Sequence, residues 1–102
     1  HANCGNCHFD GGVPNPALRL KVLTANTTPE ETPTYQTAVN MPTTLYQCSG
    51  CDRIEPGDSA ASAVVQRMGS RGASSQMPPI ATEIVDTEGL AAVSTWIDAM
   101  IP

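Results

Sequence analysis

Cys4-Gly5-Asn6-Cys7-His8 is the stretch on which the reading of this chain turns. Two cysteines with two residues between them, followed directly by a histidine, can form thioether bonds to the two vinyl groups of one haem while the imidazole meets its iron from the proximal side. Spacing and order together make the pattern specific. A four-cysteine zinc site leaves His8 without a role, and a thioredoxin-like dithiol needs a βαβ pattern that neither cysteine pair has nearby.

The rest of the composition asks for such a group. The chain has 102 residues, enough for one domain and too few for two independent cores. Apolar residues make up 40%, but aromatics only 4%: Phe9, Tyr35, Tyr46 and Trp96 stand against 9 Pro and 8 Gly. A soluble domain of this size buries roughly two-thirds of its unfolded surface and is marginally stable. The shortage of large apolar side chains therefore predicts a cofactor, a metal or disulfides in the middle. Ten acidic residues against five basic ones give a net charge of −5. The basic residues Arg19, Lys21, Arg53, Arg67 and Arg71 form no run, which excludes nucleic-acid binding driven by phosphate neutralisation. No stretch reaches the roughly 18 apolar residues that span a bilayer, and no signal-peptide core stands at the start. The chain reads as mature or excised, and His1, three residues before the motif, as the end of a tag.

A second pair, Cys48-Ser49-Gly50-Cys51, keeps a zinc-binding structural module as the alternative, although the 40 residues between the pairs exceed the usual spacing of about 15 to 20. It does not predict a second haem, because Asp52 stands where the histidine would be. A disulfide between Cys48 and Cys51 is the expected use, in keeping with the oxidising compartments where c-type haems are assembled. One histidine leaves the sixth iron position to a methionine or open. Met68 and Met100 fall at helical core positions, where packing explains them. Met41-Pro42 and Met77-Pro78-Pro79 sit in loops that proline stiffens, and Met77 is the better ligand candidate of the two. Arg67 and Arg71 are candidates for pairing with haem propionates, or else for a solvated helix surface.

Along the chain, residues 1–16 read as irregular apart from a helical turn at Cys4 to His8, and Leu18 to Val22 alternates as a short strand or extended stretch. Thr24 to Thr44 reads as one long loop, either covering a face of the cofactor or forming a surface excursion. Asn26-Thr27-Thr28 within it has the form of a glycosylation acceptor. Asp58 or Ser59 is expected to cap a helix running to Gly69, with Ala61, Val64, Val65 and Met68 on one face. Asp86 or Thr87 is expected to cap a second, in which Leu90, Val93, Ile97 and Met100 or Ile101 recur at helical spacing. The expected fold is mostly α, with short helices and long loops around one covalent haem.

Taken with Ile54-Glu-Pro-Gly-Asp58, Ser62, Arg67-Met68, Met77-Pro-Pro79, Asp86 and Trp96-Ile97, the haem motif resembles small mono-haem c-type cytochrome modules of secreted bacterial multidomain proteins. The resemblance spans nearly the whole chain and is weakest from Thr24 to Thr44; only three residues precede Cys4, so the family's N-terminal helix is shortened or missing. It implies a class I-like cytochrome c fold with His8 proximal and Met77 distal. It also implies a periplasmic or secreted electron carrier, tethered to other domains and exchanging single electrons with a protein redox partner. Some similar modules are joined to carbohydrate-binding domains and feed polysaccharide-cleaving oxidases. The chain is expected to be an electron carrier and not an enzyme, because a His/Met-ligated iron has no place for substrate. A five-coordinate haem enzyme or sensor remains the other alternative.

Overall fold

The computed structural model describes residues 1–12 and 17–102. Part of the stretch read as irregular, 13–16, lies outside the described residues. Among those described, the regular structure is helical: α1 (Pro33–Ala38), α2 (Ala63–Gly69) and α3 (Thr87–Asp98), with a single 3-10 turn at Pro29–Glu31. Extended pairing among the described residues is limited to isolated bridges, Val39 with Ile54 and Pro42 with Asp52.

α1 falls inside the segment read as one loop, which is a correction to that reading. Its cause is local. Thr32 accepts a bond from Tyr35 N–H through its side chain at 3.1 Å, Pro33 fills the first helical position with φ already set, and Asn40 takes a left-handed φ of 53° just past the end. Leu18 to Val22 forms no strand. It is tied down by single bonds, with Leu20 N–H on His8 O at 3.0 Å and Arg19 N–H on Thr37 Oγ1 at 3.0 Å. His1, read as a tag remnant, is bonded into this segment through Val22 N–H to its Nδ1 at 2.9 Å.

α2 begins at Ala63, four or five residues after the expected cap. Asp58 and Ser59 are used otherwise: Asp58 Oδ1 closes a turn on Ala61 N–H, and Ser59 donates to Asp98 across to α3. Fully buried Ser62 accepts from Glu55 N–H at 2.8 Å and donates to Asp58 O at 2.9 Å. α3 starts where expected, with the Asp86 carboxylate on Gly89 N–H at 2.9 Å.

α2 packs against α3, and Gly69 lies against Leu90. The buried apolar core is Ala38, Val39, Ile54 and Ile97, backed by half-buried Leu18, Tyr35, Val64, Val65, Val93 and Met100. That is as thin as the composition predicts. The radius of gyration is 12.9 Å, close to the roughly 13 Å of an ordinary 100-residue domain. Normal dimensions with so little core leave the missing volume inside, as a cavity.

Candidate functional site

The cavity measures about 1290 Å³, larger than the roughly 300–1,000 Å³ of ordinary small-molecule pockets, and its lining is mostly apolar. It gathers Cys4, Cys7, His8, Arg67, Arg71 and Met77, which the chain supplies from three separate segments.

The first segment is a helical turn, with His8 N–H on Cys4 O at 2.9 Å and Cys7 N–H on the same oxygen at 3.2 Å. Residues three and four apart in such a turn share a side, which is why two residues must separate the cysteines. Gly5 is required by close approach: a Cβ there would lie 2.8 Å from Leu20 O and 2.5 Å from His1 O. Cys4 and Cys7 are free thiols. Burial, and after it the Arg67 guanidinium, lowers the His8 pKa from its ordinary value, so the ring is neutral at pH 7. Neutral imidazole is the form that binds a metal. His8 Nδ1 is buried without a hydrogen-bond partner among the described residues.

The second segment is α2 with the turn after it. Arg67 Nε donates to Ser75 O at 2.8 Å, and its guanidinium lies over the Tyr46 ring at 5.2 Å. Arg71 Nη1 donates to Met68 O at 3.0 Å, Ser70 O at 2.5 Å and Met77 O at 3.4 Å, while its Nε is buried without a partner among the described residues. Both arginines are half-buried. In the third segment Met77 is anchored by its N–H on Arg67 O at 2.9 Å. Met41, the other loop candidate, is exposed and outside the cavity. Met68, read as a packing residue, lines it from α2.

Cys48 and Cys51 lie at disulfide distance, with Cα atoms 5.6 Å apart. They lie in the second half of the loop that the Pro42–Asp52 bridge closes, and residues 43–47 in its first half line the cavity.

Arg53 is the site residue that sequence reasoning passed over. It is 7% exposed, lines the cavity and donates through Nη1 to Thr37 O at 2.7 Å and Ala17 O at 3.2 Å. No carboxylate pairs with it among the described residues. Nothing in its neighbours, Asp52 and Ile54, marks a buried cation. Three of the five basic residues thus surround the cavity, against one acidic residue, Asp86. In a chain of net charge −5 this makes the cavity locally positive and suited to a ligand with carboxylates. No protein-family model, no curated protein and no solved structure matches this chain.

Proposed function

We propose that the chain is a one-electron carrier of the small class I-like cytochrome c kind, holding one covalent haem through Cys4 and Cys7, with His8 as proximal and Met77 as distal ligand. The observation that carries the reading is the cavity of about 1290 Å³ that joins the Cys4–His8 turn to Met77 and to three arginines. The residues fit a haem: free thiols at the right spacing, a neutral imidazole, an apolar lining and cations for the propionates. When bound, the haem supplies a reversible ferric–ferrous couple. The chain's own residues hold it, exclude water from its faces and set its potential: the Met77 thioether and the three guanidinium groups favour the ferrous form. A ligand on each face leaves no position for substrate, which favours a carrier over a five-coordinate enzyme or sensor. The pairing of Cys48 with Cys51 draws two sulfurs away from any four-cysteine zinc site. Among the described residues no group of three or more His, Cys, Asp or Glu side chains forms a metal cluster.

A disulfide and a c-type haem both belong to oxidising compartments, so the carrier is placed in this reading in the periplasm or outside the cell. Its partner is a redox protein, with a polysaccharide-degrading oxidase as the candidate, and a tether to other domains would raise the local concentration of that partner. An intact mass taken after denaturation should exceed the polypeptide by one haem, and visible spectra of the oxidised and reduced forms should show a low-spin c-type haem. A colourless protein, or a haem released on denaturation, overturns the proposal.

A further inference from the structure

Gln76 immediately precedes Met77 and is 9% exposed, although glutamine is a mostly exposed residue type. Its amide is used on both sides of the methionine. Oε1 accepts from Gly72 N–H at 2.8 Å, and Nε2 donates to Pro78 O at 3.0 Å and Thr82 O at 3.3 Å. Residues 78–85 carry no helix or strand that would satisfy those carbonyls otherwise. Gly72 has a φ of 76°, a left-handed conformation that glycine adopts at little cost. One buried side chain therefore ties the turn before Met77 to the loop after it, while Arg67 O and Arg71 Nη1 hold the Met77 peptide itself.

We propose that Gln76 is the positioning residue for the distal ligand, holding the loop from Gly72 to Thr82 so that the Met77 thioether stays at the cavity. The inference rests on the reading of Met77 as an axial ligand. Without Gln76 the carbonyls of Pro78 and Thr82 bond to water instead, and the loop loses the side-chain tie that fixes it to the turn at Gly72. Because a cavity ligand competes with Met77 for the same position, any population in which the loop has moved appears as tighter binding of the competitor.

The test uses the haem-loaded ferric protein. Gln76→Leu keeps a similar volume and removes all three bonds. It is expected to weaken the sulfur-to-iron charge-transfer band, to tighten imidazole binding by about tenfold, and to speed hydrogen exchange at the Gly72 amide. Gln76→Asn, a milder change that keeps the amide but shortens its reach, should give an intermediate band and affinity. Asn26→Ala removes two comparable bonds far along the chain, to Leu23 N–H and Glu31 O, and should leave band and affinity as in the parent when each protein is read equally far below its unfolding midpoint. A parental band and affinity in both Gln76 variants overturn the positioning role. The same losses in Asn26→Ala also overturn it, since they would then report general stability. A parent without the band, or a Met77→Ala variant that keeps it, overturns the ligand reading itself and is recognised without any Gln76 variant.

Discussion

Met77 and Met41 each stand before a proline, and only the first is at the cavity. Met77→Ala is therefore expected to abolish the sulfur-to-iron charge-transfer band and to lower the reduction potential, because the thioether favours ferrous iron. Met41→Ala should change neither. Met68 also lines the cavity, but it is packed on α2, so Met68→Leu should keep the band; a band lost there and kept in Met77→Ala would move the ligand to Met68. A second residue, Glu31, is read through pH. Hydrogen bonds from the Thr27 backbone N–H and hydroxyl hold its carboxyl below the ordinary 4.5. A depressed carboxyl stabilises the fold above its unfolded value and loses that contribution as pH falls through its folded one. Glu31→Gln should accordingly melt lower than the parent at pH 7, and the two melting temperatures should converge as pH falls through the depressed folded value of the carboxyl.

At the scale of elements, the start of α3 joins two residues in one device. A Cβ on Gly89 would sit 2.5 Å from the Asp86 carboxylate that caps the helix. Asp86→Ala should cost about 1 kcal/mol, the usual loss of an N-cap. Gly89→Ala would ordinarily gain up to about 1 kcal/mol of helix propensity, but here it displaces the cap and should gain nothing. In the Asp86→Ala background the gain should return. Urea unfolding of the two single variants and the double variant measures this coupling, and additive effects would show that glycine is not needed for the cap. The loop from Pro42 to Asp52 is a second such device, closed by an isolated bridge and holding Cys48 and Cys51 at disulfide distance within it. Alkylation without reductant should leave both cysteines unlabelled.

The whole molecule carries two charge patterns that oppose each other: a net charge of −5 spread along the chain, and three arginines drawn in around the cavity. In the haem-loaded protein the propionates offset the arginines, leaving the outer field negative. Stopped-flow oxidation of the ferrous form should then run faster with a cationic oxidant than with neutral or anionic ones of similar potential. The difference should shrink as salt shortens the Debye length to roughly 10 Å at 0.1 M. Equal rates at low salt would assign the negative charge to solubility and leave docking to apolar contact, to which exposed Leu45 and Ile80 are suited.

The elements that could be read from the sequence are those whose signals are local. The Cys4–His8 turn is set by hydrogen bonds within five residues, α3 by a cap and a periodic apolar face, and the thin core by composition alone. What the sequence misplaced was decided by competition between distant groups. Asp58 and Ser59 have the chemistry of caps, but Ser59 bonds Asp98 and Ser62 takes the position before α2. α1 was hidden because six residues rich in Thr and Pro carry no helical period, and its cap becomes visible only when Thr32 turns onto Tyr35 N–H. Nor can a pattern show that Arg53 is buried. An arginine enters the interior only where carbonyls such as those of Thr37 and Ala17, far from it in sequence, replace the water it gives up. The placement of Met77 at the cavity and of Met41 outside it has the same origin: the carbonyl of Arg67 and the amide of Gln76 hold the Met77 loop, whereas Met41 O accepts from Arg53 N–H at 2.7 Å in the bridged segment outside the cavity.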